Sequence, residues 1–420
     1  MRVLAATLWV VSPSIKHQIV LTSIYEKSVL HALSIKYSVN TNELIEQGNQ
    51  HRSDNQPEQA LQCYALAFAQ DRNSSAAFNN YGNVLREVGE PQAALPFLER
   101  AIQLEPKNVT ARFNLAVAHL LAGDYGRGWP AYETRWDYEH LAGSMPPFTQ
   151  PRWRGEDLKG KTILVVGEQG HGDNIQFVRF VYNLHVMGAE IILQVTDGLV
   201  PMFSASPIIK RVTGYDYSVS DFDYWTPIMS IPGILGVTLE NMPRPVNYLN
   251  ADAGLQRRWQ DYFGPKHRMR VGFSWSGRRD NWLNRHKGMP FEQMLELIQA
   301  HPQHEWINLQ ADCTSEEEDK LKSLGVHCLP PNPNMWADTA AQMMHMDLII
   351  SVDTAVAHLA GSLGRPVWIM LNWFSTDWRW LLNRDDSPWY ATARLFRQPA
   401  MGDWTSVTHK VGQYLSWFKV

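Results

Sequence analysis

Cysteine is scarce in this chain. Cys63, Cys313 and Cys328 are the three in 420 residues, too few and too scattered for a disulfide framework or a zinc site. That scarcity points to a reducing, cytoplasmic setting. Excess charge of one sign is missing too. The formal net charge is −4, which argues against a nucleic-acid partner held through phosphate contacts. No transmembrane segment is read. The opening MRVLAATLWVV has the charge-then-apolar order of a signal peptide, but it is too short to span a bilayer, and no small-residue cleavage site follows. Residues 1–40 are therefore left as an uncertain N-terminal segment, with a degenerate helical repeat as the preferred reading. Several chemical signatures are lacking. There is no G-x-S-x-G elbow and no Walker A loop, and HEWIN at 304–308 is not H-E-x-x-H. No Asp/Glu/His cluster reads as a metal site. Gly167, Gly170 and Gly172 do not make G-x-G-x-x-G, so an NAD enzyme, with Asp197 as its ribose acid, lacks its fingerprint.

What is present begins with self-similarity. Gly48, Gly82 and Ala116 recur at intervals of 34, and Ala60/Ala94, Tyr64/Leu98/Tyr132 and Ala67/Ala101 fall on the same frame. Asn55, Gly89 and Gly123 sit where a first helix must end in a left-handed residue before a second turns back. Small residues at fixed places let paired helices cross closely. The pattern over 41–140 resembles the tetratricopeptide repeat at its period of 34, with two full units and a third whose second helix, GRGWPAYETRW, departs from it. Such an array offers a concave surface to a protein or peptide, or serves as a structural arm.

Residues 141–160, rich in proline and glycine, read as an ordered connector. An α/β pattern follows. Thr162–Val166 is a buried strand, the stretch from Gly167 to Asp173 a loop, and Asn174–Met187 a helix with Phe177, Phe180, Val181 and Leu184 on one face. Ile191–Val195 is the next strand. A second unit opens at Arg270 with the strand VGFSW, the loop SGRRDNWLNRHKGMP, a helix from Phe291 to Ala300 and a strand from Trp306 to Leu309. Thr314 and Glu317 then form a capping box. The most legible stretch is DLIISVDTAVAHLAGSLGRPVWIML, residues 347–371: a buried strand to Val352, a helix from Thr354 to Leu363 stopped at Gly364, and a second buried strand from Val367. The helix starts directly at the carboxyl edge of a parallel sheet, where its first N–H groups lack internal partners and a diphosphate is the natural guest. Asp353 as a mere N-cap, with the small residues only permitting close packing, explains the same stretch equally well. Trp404–Phe418 reads as an amphipathic helix. The last hundred residues also hold Trp373, Trp378, Trp380, Trp389, Trp404 and Trp417, each read as core rather than as a stacking surface for a sugar or a base.

The fold class is thus α + α/β: helical repeats, then a Rossmann-like domain over 161–255, a second over 256–395, and a C-terminal helix within 396–420 that packs on the body. A cleft lies between the two carboxyl edges. Asp173, Lys287, Asp353, Thr354 and His358 face it from separate places. Together they suit displacement at a carbon bearing a phosphate leaving group. A carboxylate would take a proton from an attacking hydroxyl, while a cation and helix N–H groups hold the diphosphate.

Gly172-Asp173 after a first strand, Lys287-Gly-Met-Pro290, and D-T-A-x-x-H from Asp353 to His358 resemble the heptosyltransferase family of GT-B glycosyltransferases over residues 161–420. The layout is more closely similar to bacterial tetratricopeptide proteins with such a domain, through GEQGHGDNIQF, ISVDTAVAHLAG and DWRWLLNRDDSPWY. A weaker similarity is to O-GlcNAc transferase. The resemblance implies a metal-independent inverting transfer from a nucleotide-diphospho-sugar, with no other cofactor. In it Asp173 is the base, on a loop carrying Gly170 and Gly172. Lys287, Thr354, Ala355 and His358 hold the donor, with Ser276 and Gly277, and Asp353 orders that loop. Two departures stand out: Ala355 replaces the family's usual Gly, and Asn372-Trp373-Phe374-Ser375-Thr376 replaces its small turn after the last strand. A repeat scaffold that has lost transfer activity is the rival reading.

Overall fold

The computed structural model describes residues 39–138, 146, 148–277, 287–330 and 335–418. The degenerate repeat expected within 1–40 lies, apart from its last two residues, outside that description, as does the whole stretch between Gly277 and Lys287. Two compact units are present, residues 1–145 and 146–420.

In the first unit three helix pairs follow one another: α1 (Thr41–Ser53) with α2 (Pro57–Gln70), α3 (Ser75–Glu87) with α4 (Pro91–Leu104), and α5 (Val109–Leu121) with α6 (Tyr125–Tyr132). Each first helix starts on a side chain that accepts from its third residue, Asn40 from Glu43 N, Ser74 from Ala77 N and Asn108 from Ala111 N. Pro57 and Pro91 open the second helices at a position that needs no N–H. The turn between partners is left-handed as the spacing requires, with φ of 59° at Asn55, 82° at Gly89 and 81° at Gly123. A Cβ at Gly48 would stand 2.5 Å from the Tyr64 ring and one at Gly82 2.8 Å from Leu98, so these glycines let the helices touch. The third pair reverses the arrangement: Gly128 on α6 lies against Leu120 on α5. There α6 ends after eight residues and continues as a 3₁₀ turn, Glu133–Trp136. A line of side-chain amides joins all three pairs. Asn114 Nδ2 donates to Asn79 Oδ1 (2.9 Å), Asn79 Nδ2 to Asn80 Oδ1 (2.9 Å) and Asn80 Nδ2 to Asn49 Oδ1 (3.0 Å).

The second unit holds two wholly parallel sheets. The first has order β3-β2-β1-β4, from β1 (Thr162–Val166), β2 (Glu190–Gln194), β3 (Arg211–Thr213) and β4 (Tyr224–Pro227). Residues 151–153 are part of it: Arg152 pairs with Trp225, and the fully buried Trp153 donates its N–H to Trp225 O at 2.8 Å. The second has order β10-β9-β8-β5-β6-β7, from β5 (Arg270–Ser274), β6 (Glu305–Asn308), β7 (His327–Cys328), β8 (Leu348–Val352), β9 (Val367–Leu371) and β10 (Ala393–Arg397). Strands β5, β8 and β9 are buried along their whole length, which is why they read as continuous apolar runs. The C-terminal helix Trp404–Trp417 lays Val407, Val411 and Leu415 on the core of this sheet, while Trp417 itself is 83% exposed. The fold class expected from the sequence, helical repeats followed by two parallel α/β domains, is the one observed. Among the described residues, no helix is long and apolar enough to cross a membrane.

Candidate active site

Two helix starts meet at the carboxyl edges of the two sheets. On the second sheet, β8 runs straight into Asp353, and Thr354, extended at φ −140° and ψ 173°, is the N-cap of the helix Ala355–Ser362. Its hydroxyl makes no capping bond and lies 3.1 Å from Ser351 Oγ. Asp353 is therefore not a capping residue. Its Oδ2 instead accepts from Lys287 Nζ at 2.6 Å.

On the first sheet, β1 leads through Gly167–Gly170 into the helix His171–Phe177. This helix starts earlier than the sequence suggests, because Gly170 takes the cap position and Gln169 ahead of it turns at φ 59°. Asp173 is thus in the first turn rather than ahead of the helix, and its Oδ2 accepts from Gly170 N at 2.8 Å. Asn174 pins the loop, accepting from Glu168 N and donating to the carbonyls of Glu168 and Gly170. Gly172 is the point of closest approach: a Cβ there would be 2.8 Å from His358 Cδ2 and 3.3 Å from Ala355 Cα. The GlyAsp pair of one half and the Thr-Ala-x-x-His run of the other are therefore in contact.

A chain of charges threads this junction. Lys287 Nζ lies 2.6 Å from Asp353 Oδ2 and 3.5 Å from Asp377 Oδ2. Asp377 in turn accepts from Arg379 Nη1 at 3.0 and 3.2 Å. Arg379 then reaches into the other half. It donates through Nη2 to Asp173 Oδ1 and through Nε to Gln176 Oε1 at 2.5 Å. Burial disfavours the charge on Lys287, but Asp353 and Asp377 outweigh it and hold the ammonium above its ordinary value. Burial likewise opposes the Asp377 charge, and Arg379 and Lys287 outweigh it, leaving that carboxyl well below its ordinary range. Asp173 goes the other way. Burial pushes it above the ordinary value of 3.8 despite the neighbouring Arg379. His358 is held neutral by burial, with Arg379 adding to the effect. Its Nδ1 lies 2.8 Å from the Tyr390 hydroxyl, its ring stacks on Trp380 at 5.3 Å, and its Nε2 is 4.0 Å from Asp353.

Ser276 and Gly277 stand at the end of β5. Gln310 Oε1 accepts from Ser274 Oγ, Trp275 N and Ser276 N, fixing this loop. Met289 N donates to Trp275 O, which brings the Lys287 segment alongside. The structure so gathers Gly172, Asp173, Lys287, Asp353, Ala355 and His358 into one junction. Thr354 and Gly170 act through their backbones, and Ser276 and Gly277 flank the junction. Sequence reasoning missed Asp377, Arg379, Gln176 and Tyr390. Asp377, Arg379 and Tyr390 belong to DWRWLLNRDDSPWY, where two charges between tryptophans marked a motif without showing its partner. Among the described residues no group of three or more His, Cys, Asp or Glu side chains is placed to hold a metal ion.

Residues 85–127 match the family model for the tetratricopeptide repeat. The chain is similar to Protein FlbA of Caulobacter vibrioides, with 28% identity over 374 residues, 81% of this chain and 61% of that protein. The chain thus spans under two thirds of that relative's length. Among solved structures it is similar to the glycosyl transferase family 9 from Veillonella parvula, at 11% identity and TM-score 0.46 over 64% of this chain and 92% of that one. It is also similar to E. coli ADP-heptose lps heptosyltransferase II, at 13% identity and TM-score 0.43 over 61% and 98%.

Proposed function

We propose that the second unit is an inverting glycosyltransferase that moves a sugar from a nucleotide-diphospho-sugar to a hydroxyl. The observation that carries this reading is the junction itself. A carboxyl raised by burial and a half-buried ammonium at a helix start come from opposite sheets and are tied through one chain of ion pairs. Asp173 accepts the proton of the attacking hydroxyl, for which a raised carboxyl is suited. The acceptor oxygen forms its bond to the anomeric carbon as the carbon–phosphate oxygen bond breaks on the opposite face. The departing diphosphate keeps the electron pair. Lys287 and the N–H groups at the start of Ala355–Ser362 stabilise the charge it gains, with Asp353 orienting Lys287. These are fixed protein charges, and the reading assigns the chemistry to them alone, without metal or cofactor. The repeats present the acceptor, a protein or peptide, or else a glycan precursor reaches the cleft directly.

One observation favours the rival, a scaffold without transfer activity: both oxygens of Asp173 already accept hydrogen bonds, from Gly170 and Arg379. Each carboxylate oxygen has two acceptor sites, so a further proton can still be taken. Thermal shift with ADP, GDP, UDP and CDP and their sugar conjugates separates the two. On the transferase reading one nucleotide stabilises the native protein and fails with Lys287→Ala and with Thr354→Trp, whose indole blocks the helix start. Silence from the whole panel would reject it in favour of the scaffold.

A further inference from the structure

Two buried arginines cross the cleft in opposite directions. Arg179, from the first half, donates to Trp389 O at 2.6 Å and to the Tyr248 hydroxyl at 3.0 Å, and lies over the rings of Tyr248 and Tyr390. Its acceptors are neutral. Arg379, from the second half, donates to two carboxylates of the junction and to Gln176, and its guanidinium lies 4.4 Å from the centre of the Trp378 ring and 5.6 Å from that of Phe177. Only 4% of Arg379 is exposed, while the Asp173 side chain keeps 20% exposure. The guanidinium is therefore fixed from several sides, and the carboxylate it holds still meets solvent.

We propose that Arg379 is the positioning residue for Asp173: its clamped guanidinium sets the orientation in which that carboxylate receives a proton. The proposal rests on the reading of Asp173 as the base. A planar fork held by Asp377 and Gln176 leaves Nη2 aimed in one direction, and Asp173 Oδ1 is tied to it. Gly170 N–H fixes the other oxygen, so the carboxylate plane has no free rotation. The groups that face Asp173 are Arg379, Asp377 and Lys287 from the second half. The adjacent Gly172 lies against His358, which is neutral, and the helix of Asp173 also carries His171, which accepts from Trp336 Nε1 at 2.9 Å. Arg379 is the nearest cation among them. Its loss therefore makes Asp173 harder to ionise as well as free to turn.

The test compares the native protein with Arg379→Met, Arg379→Lys and Asp173→Asn, and with each Arg379 variant combined with Asp173→Asn. The first readout needs no ligand. Thermal midpoints are measured between pH 5 and 9. Arg379→Met is expected to lose more at pH 9 than at pH 5, because it leaves Asp173 and Asp377 to ionise without their shared cation, and Asp173→Asn is expected to shrink that difference to the part Asp377 carries. The second is release of nucleoside diphosphate from the sugar conjugate that stabilises the native protein, followed against pH. The acidic limb is expected to move to higher pH in Arg379→Met and less far in Arg379→Lys, with nucleotide affinity changed under about two-fold. Arg379→Lys keeps a charge and serves if Arg379→Met does not fold. Turnover with an unmoved limb, and a midpoint loss independent of both pH and Asp173, would overturn the positioning role and leave the transferase reading standing. A native protein that binds no conjugate would overturn that reading and this role together.

Discussion

Replacing Gly172 by alanine probes the contact between the two helix starts. The added Cβ would sit 2.8 Å from His358 Cδ2, where ordinary contact begins at 3.4 Å, and 3.3 Å from Ala355 Cα. His358 has no room to withdraw: it is buried, stacked on Trp380 and bonded to Tyr390. Overpacking of this kind costs about 1–3 kcal/mol, and alanine recovers at most about 1 kcal/mol of helix propensity, less in a first turn. The net loss is roughly 0.5–2.5 kcal/mol. For a body of this size that lowers the thermal midpoint by roughly 1–4 °C. The two halves must part by a few tenths of an ångström. Since a misplacement of about 1 Å costs about a hundred-fold in rate, turnover is expected to fall roughly ten-fold. Scanning fluorimetry and nucleotide release, run on native protein and Gly172→Ala, give both numbers. A midpoint equal to or above the native one, with unchanged turnover, would refute the claim that this contact is tight and sets the site.

Asp173→Asn is expected to abolish nucleotide release without lowering stability. The folded value of Asp173 lies above its ordinary 3.8, so the folded state holds the proton more tightly than the unfolded chain. Its contribution is therefore present at low pH and lost as pH rises through the folded value. Urea midpoints should show the variant gaining on the native protein as pH climbs, and a variant that loses ground would reverse the sign. In the repeats, Gly89→Ala places a side chain at φ 82° and should cost about 1 kcal/mol, while the open surface position Arg100→Ala should cost little, by urea titration.

Some of this molecule is plain in its residues. The interval of 34 and the left-handed positions Asn55, Gly89 and Gly123 are backbone requirements, so each shows in one residue type. Strands β8 and β9 are buried on both faces and therefore read as apolar runs. The helix start at His171 was misread because Gly170 caps it with backbone alone and leaves no polar cap residue to recognise. Asp377 and Arg379 carried no legible role for a different reason. Their meaning lies in Asp173, Gln176 and Lys287, which reach them only once two sheets are built and set edge to edge. The tryptophans around them are core, as expected, at Trp378, Trp380 and Trp389, whereas Trp373 is only half-buried, and Trp417 is exposed because it lies on the outer face of a helix whose last turn still packs Leu415 on the sheet.

The amide line from Asn114 through Asn79 and Asn80 to Asn49 has a consequence for how the repeats come apart. Repeat arrays ordinarily fray from their ends, because each unit touches its neighbours through apolar surface that is lost a little at a time. A hydrogen bond between buried amides, as at Asn114 and Asn79, is made or broken whole, while the bond between Asn80 and Asn49 is open to water. Detaching the third pair therefore breaks a buried amide bond at Asn79 in the second, whereas detaching the second leaves the exposed Asn49 with water and the Tyr64 hydroxyl as partners. The second and third pairs are therefore expected to melt together, and a cut in the line at Asn79 is what would let them melt separately.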